Sequence, residues 1–269
     1  MGPRLRKRQG VALARRRSGV GPWTIHYRYA AGPPEARSRP PLVLVHGLIV
    51  SSRYMIPTAE ALGTQYRVFV PDLPGYGWST KPREVLSIPQ LADALAQWMK
   101  TEQVGPAVVL GNSMGCQIAV DLATRYPDLV EGLILVGPTM DRHARSWWRQ
   151  VGRLLRDSAR EPLGLLVTET LDFWQMGPRR ALRTSLYAVH DPIEAKLPQV
   201  HAPAIVVRGD RDVIVPDEWA REVAALLPAG EFTTLPGPHV LNWVQPQGLR
   251  ALVDAFTAAL APRGLPPAG

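Results

Sequence analysis

The pentapeptide GNSMG at residues 111–115 constrains this chain more than any other stretch. It has the form G-x-S-x-G, follows an apolar run at 107–110 and precedes a helical pattern at 116–126. A serine between a strand and a helix in this form lies on a sharp, strained turn. Small residues two places before and after the serine let the backbone approach itself closely. The stretch therefore predicts a strand–turn–helix unit that holds the Ser113 hydroxyl out above a sheet.

The rest of the chain alternates short apolar runs with helical patterns. Valine-rich runs that predict strands covered on both faces lie at 42–45, 66–70, 107–110, 133–136 and 204–207. A polar–apolar alternation at 24–29 predicts a half-buried strand near the sheet edge, and 232–235 predicts the last strand. Strands that alternate with helices favour a parallel sheet with right-handed crossovers and helices on both faces. In such a sheet, ligands bind beyond the carboxyl ends of the strands.

Five landmarks identify the chain as resembling the α/β-hydrolase fold superfamily over residues 42–260. They are LVLVHG at 42–47, VPDLPGYGWS at 70–79, the GNSMG turn, GDRDVIVP at 209–216 and GPH at 237–239. The resemblance implies the α/β-hydrolase fold. That fold has a mostly parallel eight-stranded sheet, helices on both faces and a helical cap inserted after the sixth strand. The region around Ser113 is also similar to carbon–carbon hydrolases of meta-cleavage products.

These patterns predict four regions. Residues 1–20 form a basic arm, residues 21–138 and 201–262 the α/β core, residues 139–200 the cap, and residues 263–269 a flexible tail. Within the cap, helical patterns at 145–158, 163–174 and 179–189 are separated by proline and glycine.

Serine chemistry needs a base and an acid, because a serine hydroxyl is a weak nucleophile at neutral pH. The resemblance places the base at His239 and the acid at Asp212, and the order Ser113, Asp212, His239 is the order that this fold uses. Two other acids compete. Asp210 is expected to bond turn amides, and Asp141 follows the sixth strand.

Backbone N–H groups are expected to stabilise the oxyanion of a tetrahedral intermediate. The residue after the nucleophile is Met114, and the residue after His46-Gly47 is Leu48. We expect these two amides to form the oxyanion hole, with His46 as a structural residue of the same loop.

The predicted cap is rich in aromatic and basic side chains. Its candidate substrate-binding residues are Trp147, Trp148, Phe173 and Trp174, and the alternative is that these rings only pack the cap onto the core. An arginine that faces the pocket could pair with a substrate carboxylate. The candidate arginines are Arg142, Arg145, Arg149, Arg179, Arg180 and Arg183.

Charge and cysteine content limit which binding partners and which cellular location are expected. The net charge is +8, and seven positive charges fall within the first 17 residues, which leaves 8 − 7 = +1 for the remainder. The arm is expected to be solvated, to touch RNA or membrane, or to supply an edge strand; no specific nucleic-acid partner is expected. Cys116 is the single cysteine, so we expect a reducing, cytoplasmic location and a buried, unreactive thiol.

Neither a metal motif nor a nucleotide motif is present, and we expect no cofactor. No secretory signal or 18-residue apolar span is expected either. The oligomeric state is left open.

The sequence thus favours a serine hydrolase that acts through an acyl-enzyme on a small or medium, largely apolar ester, thioester or lactone. Three alternatives stay open: a carbon–carbon hydrolase of ring-fission dienoates, a cofactor-free perhydrolase, and a non-catalytic ligand receptor.

Overall fold

The computed structural model describes residues 10–144 and 162–260. Its centre is an eight-stranded sheet in the order β1-β2-β4-β3-β5-β6-β7-β8. The strands are β1 Ala14–Val20, β2 Trp23–Ala30, β3 Leu42–Val45, β4 Val68–Pro71, β5 Ala107–Asn112, β6 Val130–Val136, β7 Ala204–Gly209 and β8 Gly230–Leu235. Strand β2 pairs in antiparallel fashion with both β1 and β4, and β3 to β8 run parallel to one another. This confirms the predicted mostly parallel eight-stranded fold.

Nine α-helices connect these strands within the described residues. They are α1 Ile56–Leu62, α2 Ile88–Thr101, α3 Met114–Arg125, α4 Leu163–Met176, α5 Pro178–His190, α6 Ile193–Lys196, α7 Asp217–Leu226, α8 Leu241–Val244 and α9 Pro246–Leu260. Helices α4 to α6 lie between β6 and β7, where the inserted cap was predicted. The predicted helix at 145–158 lies outside the described residues, as do Trp147 and Trp148.

Strands β3 and β4 are apolar and buried along their whole length because both faces of the sheet are covered there. In β3, Val43 and Val45 join one core cluster, whereas Leu42 and Leu44 join the other, as the two-residue period of a strand requires. The first cluster includes buried residues of α2, α3 and α7, and the second includes those of α1 and α9. Burying each large aliphatic side chain contributes roughly 1.5–3 kcal/mol. Because side chains on both of its faces are buried, the sheet is a rigid support for the loops at its carboxyl edge.

The strand predicted at 24–29 lies near the sheet edge as expected, but it is more buried than predicted. Residues 14–20 form the end strand, so β2 is an inner strand and is covered on both sides. His26 and Arg28, the basic residues of that alternation, are only 3% and 5% exposed. Their side chains bond Asp72 and Ser52 instead.

The pattern at 51–62 predicts a helix that Pro57 could break or start late, and the late start is observed. Helix α1 begins at Ile56, with Pro57 in its first turn, because a proline there loses no helical hydrogen bond. Residues 46–55 are consequently a loop, and this loop borders the candidate site. None of the helices in the described ranges is long and apolar enough to cross a bilayer.

Candidate active site

Ser113 lies on a sharp turn between β5 and α3. Its backbone has φ 55° and ψ −122°, a conformation that non-glycine residues rarely adopt. Its N–H donates to the Val136 carbonyl at 3.0 Å, which ties the turn to the end of the neighbouring strand β6. The side chain is half-buried. The surrounding structure imposes this strained conformation, and the conformation places the hydroxyl at the carboxyl edge of the sheet.

The flanking glycines are required by close backbone contacts. A Cβ built on Gly111 would lie 2.5 Å from the Gly115 carbonyl oxygen. A Cβ on Gly115 would lie 2.3 Å from the Val45 carbonyl oxygen. Both distances are shorter than real Cβ contacts, so any larger residue would push the turn away from β3. The G-x-S-x-G spacing is thus explained by packing.

A buried imidazole–carboxylate pair lies at the ends of β7 and β8. His239 Nδ1 and Asp212 Oδ2 are 2.8 Å apart, and the two residues are 6% and 4% exposed. The other carboxylate oxygen of Asp212 accepts the N–H groups of Ile214 and Val215 at 2.8 and 2.9 Å. Burial raises the pKa of Asp212, but the charge and hydrogen bond of His239 and these two amides outweigh it and lower the pKa. Asp212 is therefore held as a carboxylate.

The two competing acids have other partners. Asp210 accepts the Gly237 N–H at 2.7 Å, as predicted for a turn residue, and its side chain is about half exposed. Asp141 accepts the His143 N–H at 2.9 Å. Of the three candidate acids, the structure brings Asp212 to His239.

The loops that carry Asp212 and His239 are bonded to each other. The Arg211 N–H donates to the Gly237 carbonyl at 2.9 Å. A Cβ on Gly209 would lie 2.4 Å from the carbonyl oxygens of Gly237 and Pro238, so only glycine lets the second loop pass. Arg208 donates to the carbonyls of Asp212 and Val215, both at 2.7 Å, and so braces the acid loop from inside. Sequence reasoning missed Arg208, because nothing in its local pattern points to these acceptors.

Gly137 joins this pair to the serine turn and was also missed. It follows Val136, whose carbonyl accepts the Ser113 N–H, and it has φ 57°. A Cβ on Gly137 would lie 2.9 Å from His239 Cε1 and Nδ1 and 3.4 Å from Asp212 Oδ2. The imidazole therefore packs directly on the backbone beside the serine turn. The positive φ favours glycine, and the imidazole leaves no space for a side chain.

A second imidazole–carboxylate pair, His26 with Asp72, has the same 2.8 Å separation. Asp72 Oδ1 accepts the Ser52 N–H at 2.7 Å, and Oδ2 also accepts the Trp78 N–H at 2.9 Å. Gly77 is required here, because its Cβ would lie 2.2 Å from the Asp72 carboxylate. Asp72 therefore has a structural role, since it satisfies backbone amides on both sides of β4. This pair fixes loops around β4, whereas the His239 pair lies against Gly137.

His46 links two loops at the carboxyl edge. Its Nδ1–H donates to the Gly47 carbonyl at 2.9 Å, and its Nε2 accepts the Leu73 N–H at 3.2 Å. Complete burial lowers its pKa, which favours the neutral ring that these two bonds require. A Cβ on Gly47 would lie 3.3 Å from Ser113 Cβ, so the backbone just before Leu48 passes beside the serine.

The candidate oxyanion amides belong to Leu48 and Met114. Met114 is the first residue of α3, where N–H groups have no acceptor within the helix. Leu48 is half-buried and is followed by Ile49, which has φ 57°. A β-branched residue in this region is strained, so the surroundings must impose the conformation.

The described cap residues divide between core and surface. Phe173 packs against the first core cluster, whereas Trp174 is 69% exposed and touches Phe173 edge-on. This exposure does not favour a pocket-lining role for Trp174. Arg180, on α5, is half-buried against Gly75 and donates to the Pro82 carbonyl at 2.5 Å.

Cys116 is fully buried, as predicted, and donates to the Gly111 carbonyl at 3.2 Å. Burial raises its pKa well above the usual value, which disfavours the thiolate form. Within residues 10–144 and 162–260, no three His, Cys, Asp or Glu side chains cluster in a way that could hold a metal ion.

Known proteins resemble the chain in sequence and in structure. The family model of the alpha/beta hydrolase fold matches residues 40–167. The magnesium-chelatase 30 kDa subunit of Rhodobacter capsulatus is 29% identical, with 90% of this chain and 93% of that protein covered. The pimeloyl-[acyl-carrier protein] methyl ester esterase of Xylella fastidiosa is 28% identical, with 82% and 96% covered. A putative lipase from Acinetobacter baumannii superposes with a TM-score of 0.76 at 23% identity, with 92% of each chain covered.

The chain has the α/β-hydrolase fold. It is an enzyme of the hydrolase class.

Proposed function

We propose that the protein is a serine hydrolase that cleaves a small or medium, largely apolar carboxylic ester, thioester or lactone through an acyl-enzyme. The observation that carries this proposal is the His239–Asp212 pair packed on Gly137, one residue from the strand end that holds the Ser113 turn. The Xylella relative named as a methyl ester esterase supports the ester class.

The proposed reaction has two steps. Ser113 Oγ attacks the acyl carbon while His239 accepts the hydroxyl proton and passes it to the leaving group. Because Nδ1 is bonded to Asp212, Nε2 is the nitrogen that serves as the base. Water then attacks the acyl-enzyme by the same route. The amides of Leu48 and Met114 stabilise the oxyanion in both steps, and losing one such donor typically costs about 3 kcal/mol of barrier.

A fluorophosphonate probe tests this proposal, because it modifies a serine only when the serine is activated. We expect covalent labelling at Ser113, identified by peptide mass spectrometry, and no labelling in Ser113→Ala. Cys116→Ala is the matched control within the same turn and should label normally. A folded wild-type protein that stays unlabelled would overturn the proposal and would favour the ligand-receptor alternative.

The second candidate is hydrolysis of a carboxylated substrate, such as the ring-fission dienoates. Arg180 favours it. Burial lowers the pKa of its guanidinium, nearby Tyr76 raises it, and no carboxylate of the described residues pairs with it. Tyr76 is buried, and its hydroxyl lies 3.9 Å from Met114 Sδ, beside the candidate nucleophile. A half-buried cation without a counter-charge is suited to a substrate carboxylate.

A substrate panel separates the two candidates. Neutral nitrophenyl esters and lactones are compared with carboxylated dienoates, in the wild type, Arg180→Ala and the exposed neighbour Arg179→Ala. A preference for dienoates that Arg180→Ala lowers by about tenfold to a hundredfold supports the second candidate, since a hydrogen bond to a charged group contributes about 1.5–3 kcal/mol. A preference for neutral esters, unchanged in both variants, supports the first.

A further inference from the structure

We infer that Asp172, on the cap-side helix α4, is a positioning residue that holds the loop at residues 46–55 in the conformation that presents the Leu48 amide. We call this segment the oxyanion loop. The inference rests on the proposed serine-hydrolase function, and it assigns to the cap a part in completing the catalytic geometry.

One buried carboxylate receives three groups of the oxyanion loop. Asp172 is 3% exposed, and its Oδ2 accepts both the N–H and the hydroxyl of Ser51 at 2.8 Å. Its other oxygen pairs with the Arg53 guanidinium, which also donates to Gln175 one turn further along α4. The residues are 119 to 121 positions apart in sequence, so this contact exists only when α4 is seated on the core.

A second carboxylate holds the next amide from the opposite side. The Ser52 N–H donates to Asp72 at 2.7 Å, and the Ser52 hydroxyl accepts from Arg28 Nε at 3.0 Å. Ser51 and Ser52 are 1% and 0% exposed, so water cannot replace either acceptor. The Ser51 amide is thus fixed by the cap and the Ser52 amide by the core. Together these bonds hold the backbone between Val50 and Arg53 in one conformation.

The strained backbone at Ile49 explains why the bonds of Asp172 to Ser51 matter for the Leu48 amide. A φ of 57° is unfavourable for isoleucine and persists only where its neighbours over-determine it. Upstream, Gly47 is held against Ser113; downstream, Ser51 is held by Asp172. Releasing the downstream end lets Ile49 leave this conformation, and the segment from Gly47 to Ser51 that carries the Leu48 amide can then change its path.

The test compares Asp172→Ala and Asp172→Asn with a buried ion-pair control. In the control, Lys196→Met removes the cation that bridges Asp121 of α3 and Asp191, away from the oxyanion loop. The readouts are kcat, KM, the rate of fluorophosphonate labelling, the melting temperature, and hydrogen exchange of the amides at 48–52.

We expect Asp172→Ala to lower kcat by roughly tenfold to a hundredfold with little change in KM, below the 10²–10³ typical of deleting a donor outright. Asp172→Asn keeps an oxygen acceptor for the Ser51 amide, so it should recover part of kcat. Exchange at 48–52 should accelerate in Asp172→Ala. Lys196→Met should lower the melting temperature to a similar extent and leave kcat, KM and this exchange unchanged.

Wild-type exchange at 48–52 in Asp172→Ala would overturn the inference, even if activity falls. An equal loss of kcat in Lys196→Met would also overturn it, because the effect would then be one of stability. If the wild-type protein itself resists the probe, the proposed hydrolase function fails, whereas the exchange result still decides whether Asp172 fixes the loop.

Discussion

At the scale of single residues, the site depends on which carboxylate reaches the imidazole. Asp212→Asn should lower kcat by roughly 10⁴-fold, because an amide cannot hold the imidazole in the productive tautomer. Asp210→Asn is the control: its exposed carboxylate accepts one backbone N–H, and an asparagine oxygen can replace it. Turnover of a nitrophenyl ester, with circular dichroism as the check on folding, measures both. Equal losses in the two variants would contradict the assignment of Asp212.

The residues that sequence reasoning identified share one property: each belongs to a short local motif. Ser113 and the pair His239 and Asp212 are of this kind. Gly137 and Asp172 were missed, because their roles depend on contacts over long sequence separations. A glycine directly after an apolar strand gives a weak signal, and an aspartate in a cap helix gives none.

At the scale of elements, the turn after β4 couples stability to pH through Asp72. Burial alone raises the pKa of Asp72, but the hydrogen bonds from His26 and from the amides of Trp78 and Ser52 outweigh it and lower the pKa to about 2, from the usual 3.8. A depressed carboxyl pKa stabilises the fold above the unfolded-state value, and this stabilisation is lost as pH falls through the folded-state value.

We therefore expect the free energy of unfolding to fall by roughly 2 kcal/mol through Asp72 alone between about pH 4 and pH 2. Urea unfolding at a series of pH values measures the change. Asp72→Asn should be less stable at neutral pH and should lack this part of the acid dependence. A variant with the wild-type slope would show that another carboxyl group is responsible.

Most elements were predictable because their apolar periodicity is long enough to read. The apolar stripe of Leu91, Leu95, Trp98 and Met99 predicts a helix at 88–100, and α2 is observed at Ile88–Thr101. Short elements were missed: α6 and α8 have four residues each, too few to show a period. The extent of β1 was missed for another reason. The run of three arginines at 15–17 shows no strand pattern. The whole of β1 is nevertheless held in the sheet by seven residue pairs with β2.

At the scale of the whole molecule, a cluster of positive charge lies at one end of the sheet. Arg15, Arg16 and Arg17 are consecutive residues of β1, and Arg16 stacks over the Tyr29 ring at 4.6 Å. Within the described residues no further strand pairs with β1, which is the end strand of the sheet order. Edge strands of this kind are templates for pairing with another chain.

We expect replacement of these charges to promote self-association. Arg15→Ser with Arg17→Ser should increase light scattering at low ionic strength, whereas Arg15→Lys with Arg17→Lys, which keeps both charges, should not. Because charge repulsion is screened beyond about 10 Å at 0.1 M salt, the wild type should approach the serine variant as salt is added. Salt-independent scattering in all three proteins would contradict this.

If a second copy paired its β1 with this β1 in the antiparallel register centred on Arg16, arginine would lie opposite arginine at three successive pairs. We therefore expect β1, the end strand of the sheet within the described residues, to oppose sheet extension by a second copy. The protection is electrostatic, and ionic strength sets how well it works.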